Sequence, residues 1–442
     1  MTTAAATAQI VECLKRNDLA AAQAACQQAQ AQTAEDPQVW HLSGIVAAQC
    51  GQAEQAVKCF ERAIARRPTA AVYHYNLGLA LSGLGDLSQA AAAYRRAVEL
   101  QPKFLEAQNN LANALMRQGD NPAALEAFEQ LVQQFPDNAD AHYNLANLLQ
   151  DIGESQRAVE HYRHALQLQP QHSAARENLG RAYSEAGDVA QAQQVWQEWL
   201  EREPEHPIAR HMVAATGGDA PRLERCAEDY VREAFNRDFA RSFDHQLARL
   251  DYHAPQLVVQ ALQAAAPNLA DAEVLDAGCG TGLCGPLLRA AAARLSGVDL
   301  SAAMLEEAAK REVYDHLIEA DLVAYLAAHP DQFDVIVSAD TLCYFGDLAP
   351  VLTAAAGGLR SGGWLVFTVE LAKADEADHG PEYQLQPNGR FCHHEAYVRR
   401  AITQAGLGVI DMAPATLRKE RGQPVAGLVV TAVPQSASLA LE

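Results

Sequence analysis

No run in this 442-residue sequence approaches 18 uninterrupted apolar residues, which argues against a membrane-spanning helix. Met1 to Ile10 lacks the basic region and apolar stretch of a secretory leader, so neither export nor a membrane partner is expected. Basic stripes are missing too. The formal charge is −21 and nothing offsets it locally, so a polyphosphate backbone would be repelled and nucleic acid is not an expected partner. The nine cysteines are odd in number and form neither a C-x-x-C pair nor a zinc spacing, which points to reduced thiols in a cytoplasm and to no metal site. Aromatics are scarce at 6%, whereas hydrophobic residues reach 49% and charged residues 20%, the profile of an alanine-rich, helix-heavy globular protein. The length exceeds what one ordinary core covers, so two domains are expected. Nothing in the sequence fixes an oligomeric state.

What is present begins with a repeat. Pro68, Pro102, Pro136, Pro170 and Pro204 recur every 34 residues, the tetratricopeptide period. Each proline closes a unit of one form: a small residue (Gly44, Gly78, Ala112, Ala146, Gly180), a turn glycine (Gly51, Gly85, Gly119, Gly153, Gly187), then an alanine and an aromatic. The last two (Ala56 and Phe60, Ala90 and Tyr94, Ala124 and Phe128, Ala158 and Tyr162, Ala192 and Trp196) sit four apart and share a helix face. The small residue then lets a helix pair approach while the aromatic fills the gap to the next unit. The sequence resembles the tetratricopeptide-repeat family, with a degenerate capping repeat over 1–36 and five repeats over 37–206.

Asn76, Asn110, Asn144 and Asn178 each lie two residues before the small residue of their repeat. An Asn side chain offers an acceptor and two donors, matching the C=O and N–H of an extended backbone. Either each amide braces its own repeat, or the four form a ladder. The resemblance implies that the first helices face a concave groove, where such a ladder would hold a protein or peptide, as in the repeats of O-linked N-acetylglucosamine transferases.

The pattern stops after Pro204, and Thr216-Gly217-Gly218-Asp219-Ala220-Pro221 reads as a break, giving an expected linker over 207–222. Helices are expected over 223–270, with Phe235, Phe239 and Phe243 spaced by four on one face. From 271 to 435 short apolar runs alternate with helical stretches, the pattern of a parallel sheet covered on both faces, and 436–442 reads as a tail.

The first apolar run ends Val274-Leu275-Asp276-Ala277-Gly278-Cys279-Gly280-Thr281-Gly282, a D-x-G-x-G-x-G loop at a strand end. Its spacing differs from the G-x-G-x-x-G of dinucleotide sites, and Asp276 would sit badly beside a pyrophosphate. A carboxylate suits a cation, and S-adenosylmethionine carries an ammonium and a sulfonium but no phosphate. The second run ends in Asp299, which can accept both ribose hydroxyls, with Leu300 beside it and Met304 one turn on, placed to rest on the adenine. In the third, Asp321 can accept from the adenine amine while the main chain of Ala320 or Leu322 reads the ring. Cys279 in the glycine loop and Ser338 at the end of the fourth run complete the expected cofactor contacts.

Residues 271–372 thus resemble the class I, Rossmann-like S-adenosylmethionine-dependent methyltransferases, and the whole chain resembles bacterial fusions of tetratricopeptide repeats with such a domain. The resemblance implies a multidomain chain: an all-α repeat solenoid, then an α/β Rossmann-like domain with a seven-stranded sheet whose last strand, around Gly427–Val430, is antiparallel. It implies S-adenosylmethionine as methyl donor and S-adenosylhomocysteine as product. It also implies that the Phe-Asp-x-x-Leu helix at Phe243–Leu247 closes over the cofactor; the same stripe would serve equally as core packing.

On the acceptor side, Ser338-Ala339-Asp340-Thr341-Leu342-Cys343-Tyr344 lacks the Asn/Asp-Pro-Pro-Tyr of amide and nucleobase N-methyltransferases, which argues against DNA bases and glutamine amides. Tyr344 is expected to line the acceptor pocket. In the insertion from Tyr383 to His394, Arg390 can fork onto a carboxylate and His393 can act as a base near neutral pH. The same stretch also suits a hairpin whose histidines open a helix. Arg418 sits near the final hairpin, where turn charges are usually solvated. The chain fits three roles. It methylates a protein or peptide side chain that the asparagine ladder recruits at raised effective concentration, it methylates a small carboxylate or phenol while its repeats dock a partner protein, or it senses the cofactor as an adaptor without catalysis.

Overall fold

Each repeat of the unit Met1–Ala182 folds as a helix pair: Pro37–Gln49 with Ala53–Arg66, Ala71–Gly83 with Leu87–Leu100, Leu105–Arg117 with Asn121–Gln134, and Ala139–Asp151 with Ser155–Leu168. These come from a computed structural model that describes residues 3–217, 223–372, 382–420 and 422–435. The turn inside each pair needs a residue at positive φ, which Gly51, Gly85, Gly119 and Gly153 supply. Asp86 and Asp120 then cap second helices by accepting from the N–H of Gln89 and Ala123.

The small and aromatic positions meet as the spacing implies. A Cβ on Gly78 would lie 2.5 Å from the Tyr94 ring, which is buried together with Ala90. Gly78→Ala is therefore expected to destabilise the repeat by about 1–3 kcal/mol through overpacking. The check is the urea midpoint, and an unchanged value would show that the ring can give way. Helices Thr3–Lys15 and Leu19–Gln32 bury Ala6, Ile10, Ala22 and Ala29 against Val39 and Leu42, the apolar seal that the end of a solenoid requires.

The second unit, Tyr183–Glu442, starts inside the fifth repeat. Helices Val189–Arg202 and Pro207–Thr216 contribute Trp196, Trp199, Ile208 and Met212 to one buried cluster shared with Leu275, Phe333 and Phe367 of the sheet. This corrects the linker expected over 207–222. Pro207 sits at the start of the helix and the His206 side chain accepts from Ala209 N–H, so helix persists although the 34-residue pattern has ended. Residues 218–222, like the tail 436–442, lie outside the described residues.

The strands are β1 Ala272–Ala277, β2 Ala292–Asp299, β3 His316–Glu319, β4 Phe333–Ser338, β5 Leu359–Leu371, β6 Tyr383–Leu385, β7 Phe391–His393, β8 Leu407–Glu420 and β9 Gln423–Pro434. They form one sheet in the order β3-β2-β1-β4-β5-β7-β6, parallel up to β7, with β9 antiparallel to both β5 and β8. The antiparallel last strand is as implied, but among the described residues the sheet has nine strands rather than seven. The extra pair, β6 and β7, is a hairpin of three-residue strands, too short to show an alternation in sequence. The strand order reverses between β1 and β4, and such a reversal leaves a crevice at the carboxyl ends of the strands. Among the described residues no helix is long and apolar enough to cross a membrane.

Candidate active site

The loop after β1 turns back over the end of β2, with Gly278 and Cys279 N–H donating to Val298 O at 2.8 and 3.0 Å. A Cβ on Gly278, at φ 76°, would lie 2.2 Å from Thr341, so only glycine fits where this backbone reaches the crevice. Asp299 closes the end of β2. It accepts from Gly280 N–H at 2.9 Å and from Ser301 N–H at 2.8 Å, holding the glycine loop and the start of the next helix together. Tyr314, which no motif singles out, is the piece behind them. Its ring fills the space that Gly282, Gly285 and Gly297 leave open, and its hydroxyl donates to Asp276 at 2.6 Å.

Burial pushes Asp276 up to about 7, with the Tyr314 hydroxyl opposing the shift and the Asp299 charge adding to it. Burial also raises Asp299, against N–H bonds from Ser301, Gly280 and Leu300. A cationic ligand held by Asp276 needs it ionised, so affinity for such a ligand should rise roughly tenfold from pH 6 to pH 8. Stability of the empty protein runs the other way. An acid raised on folding contributes below its unfolded value and loses that contribution as pH rises through 7. Tyr314→Phe removes the opposing donor and should move the binding midpoint higher; calorimetry showing flat affinity across this range would mean that Asp276 does not control binding.

The cavity at these strand ends takes in ten of the eleven expected cofactor positions: Asp276, Gly278, Cys279, Gly280, Asp299, Leu300, Met304, Ala320, Asp321 and Leu322. Ser338 is the exception. It is buried and donates to Ala277 O at 2.9 Å, so it ties β4 to β1 instead of facing a ligand. Asp321 also serves the fold, accepting from Ala324 N–H as a helix cap and from Arg225 at 2.9 Å, and its oxygens retain lone pairs for a ligand. Counted out to its open mouth the cavity holds about 1100 Å³.

Phe235, Phe243 and Leu247 line the cavity, the last two from helix Arg237–Arg249. Phe239 packs on the other two rings at 5.5 Å, so the stripe both covers the cavity and forms a small core of its own. Asp244 latches this helix to the glycine loop. It accepts from the Thr281 hydroxyl at 2.5 Å and pairs with Arg311, which also donates to Thr281 O. A second strap comes from Glu224–Cys226, where Cys226 N–H donates to Tyr344 O and Gly346 N–H to Glu224 O.

Tyr344 and Arg390 both reach the cavity, with the guanidinium 5.8 Å from the ring centroid. Arg390 Nη1 lies 3.2 Å from Glu370 and 3.4 Å from Asp340. Burial holds the Tyr344 hydroxyl well above its usual range, so it stays a phenol. Arg418, expected in solvent, is instead 1% exposed and pairs with Asp340 at 3.0 Å, Glu370 at 2.6 Å and Glu420 at 2.7 Å. The β8–β9 register slips between Thr416 and Arg418, and such a bulge re-aims the side chain inward. Burial raises Asp340 despite the arginines, whereas Arg418 and Arg390 outweigh burial at Glu370 and keep it ionised. Asp340, Cys343 and Glu370 bring possible metal ligands within 4.8 Å of one another. Both carboxylates are already paired with arginine, so the group is an ion-pair network.

His393 does not join this site, which corrects its expected role as a base. It is fully buried in β7, with Nε2 2.8 Å from Phe345 O and 3.2 Å from Gly346 O, and burial pushes it down to about 4. The imidazole therefore stays neutral and props the loop behind Tyr344.

In the repeats the asparagine amides reach backward by one repeat and one residue. Asn76 meets His41 at 2.7 Å, Asn110 meets Tyr75 at 3.4 Å, Asn144 meets Asn109 at 2.9 Å and Asn178 meets Tyr143 at 3.4 Å. Each is half-buried and braces its repeat against the one before.

A mostly parallel sheet that places a glycine loop and two acids at its switch point, beneath a helical cover, defines a Rossmann-like α/β enzyme. Residues 250–411 match the methyltransferase-domain family, and 41–103, 109–173 and 151–215 match tetratricopeptide-repeat families. The ubiquinone biosynthesis O-methyltransferase of Thiobacillus denitrificans is 32% identical over 162 residues, 34% of this chain and 69% of that protein. The malonyl-[acyl-carrier protein] O-methyltransferase of Pseudescherichia vulneris is 33% identical over 191 residues, 42% of this chain and 72% of that protein. Among solved structures, magnesium protoporphyrin IX methyltransferase from Synechocystis PCC 6803 with bound SAH aligns at TM-score 0.37 and 18% identity, covering 47% of this chain and 99% of that one. The chain belongs to the methyltransferase family and is a methyltransferase with tetratricopeptide repeats in its N-terminal region.

Proposed function

We propose that the chain methylates a carboxylate of a small acceptor with S-adenosylmethionine as donor, while its repeats dock a protein partner. The observation that carries this is the placement of Arg390 inside the cavity and of His393 outside it. An ionised carboxylate needs no base to accept a methyl group, whereas a phenol or amine must lose a proton. Among the described residues that line the cavity there is no histidine, and Arg390 carries further N–H donors on Nε and Nη2 that suit a carboxylate. The names of the two relatives, both O-methyltransferases, support the same class of acceptor atom.

S-adenosylmethionine supplies a methyl carbon activated by its sulfonium when bound. Asp276 and the backbone of Gly278 and Gly280 would hold its charged end, Asp299 the ribose, and Met304 with Asp321 the adenine. Phe235 and Phe243 would keep water from the reacting atoms.

A second reading is a protein or peptide side chain as acceptor, favoured by the register of Asn76, Asn110, Asn144 and Asn178 along four repeats. Transfer of labelled methyl groups into source lysate separates these outcomes. Label that mild base releases as methanol, found in a small-molecule extract, supports the carboxylate reading. Label in a discrete protein band, base-labile or not, moves the acceptor to the second reading, and base-stable label in a small molecule overturns the carboxylate reading.

A further inference from the structure

The helix Pro207–Thr216 packs against the turn that carries Arg390. His211, 4% exposed, has Nε2 2.9 Å from Gly389 O, and its ring lies on Tyr230 with centroids 3.7 Å apart and planes inclined by 22°. Gly389 is at φ 86°, and a Cβ there would lie 2.8 Å from the Tyr230 hydroxyl and 3.1 Å from Met212 Sδ. The turn is closed from within as well. Gly389 N–H donates to Gln386 O, Gln386 N–H to Arg390 O, both at 2.8 Å, and Arg390 N–H to Asn388 Oδ1 at 3.0 Å. The side chain that leaves this turn enters the cavity.

We infer that His211 is a positioning residue for the acceptor side of the reaction. By donating to Gly389 O it fixes the turn from which Arg390 reaches the cavity. Gly389 has no side chain with which to anchor itself, so the turn is held at this point by its carbonyl and by the ring stack beneath it. Small errors there matter, because a misplacement of about 1 Å in a group that orients substrate costs roughly a hundredfold in rate. Arg390 Nη1 sits at 3.2 and 3.4 Å from its two carboxylates, so a shift of the turn would also change how the guanidinium is shared between them and an acceptor. The inference rests on the proposed reading of Arg390 as the acceptor's cation. It assigns part of the acceptor site to a helix that follows directly after the repeat pattern ends.

The test uses the full chain, labelled S-adenosylmethionine and clarified source lysate as the acceptor. His211→Phe keeps a ring on Tyr230 but loses the donor, and His211→Gln restores an N–H. His211→Phe is expected to raise the half-saturating lysate concentration at least fivefold while the KM for S-adenosylmethionine stays within twofold; His211→Gln should recover most of this. In an Arg390→Met background, read at one low lysate concentration, His211→Phe should lower the rate no further, because both changes act through one group. An equal shift in both KM values, or effects that multiply with those of Arg390→Met, would overturn the inference. If the unmutated chain transfers no label, the reading of the reaction fails and hydrogen exchange judges His211 alone. At Gly389 and Arg390, at least tenfold faster exchange in His211→Phe supports the pin, and an unchanged rate overturns it.

Discussion

Arg418→Met is expected to destabilise the unit Tyr183–Glu442 by about 3–5 kcal/mol, the usual consequence of removing one partner from a buried charge network. Arg418 is 1% exposed and faces Asp340 and Glu370, which are themselves largely shielded from water. Without it, Arg390 is left to neutralise both acids from one side. The loss should be larger at pH 8 than at pH 5.5. Burial already raises Asp340, so lowering the pH favours its protonated form and lessens the uncompensated charge. Fluorescence of buried Trp196 and Trp199 during urea unfolding reads this unit. A loss below about 1 kcal/mol would mean that the cluster is effectively solvated.

Arg390→Met should lower kcat/KM for the acceptor by about a hundredfold while leaving the KM for S-adenosylmethionine unchanged. The guanidinium lines the cavity beside Tyr344, whereas the ten expected cofactor positions lie at or just after the ends of β1 to β3. Arg390→Lys keeps the charge but loses the planar fork, so an intermediate loss is expected. Equal damage to both KM values would assign Arg390 to the architecture of the cavity and leave the acceptor without a cation.

The parts that were legible in sequence are those set by local spacing. The 34-residue period, the D-x-G-x-G-x-G loop and the acid that ends the next strand each involve residues within one or two elements, so the sequence displays them directly. What stayed hidden depends on contacts between distant segments. Arg418 is buried through a bulge in a hairpin, and its partners Asp340 and Glu370 lie on other strands. Tyr314 matters because three glycines, at 282, 285 and 297, leave room for one ring. His393 resembles a base in any linear reading, yet strand pairing turns it toward two carbonyls. The helix Pro207–Thr216 shows a local start signal in Pro207, but its role depends on Gly389 nearly 180 residues away, a contact found only in the fold.

The most direct test of the whole account is calorimetric titration of the full chain with S-adenosylmethionine at pH 8, alongside Asp299→Ala. The account predicts one site per chain with a dissociation constant on the order of micromolar, weakened at least about a hundredfold by the substitution. That carboxylate would hold the ribose and already holds the N–H groups of Gly280 and Ser301. A chain that binds no S-adenosylmethionine, or one that binds equally well without Asp299, would contradict it.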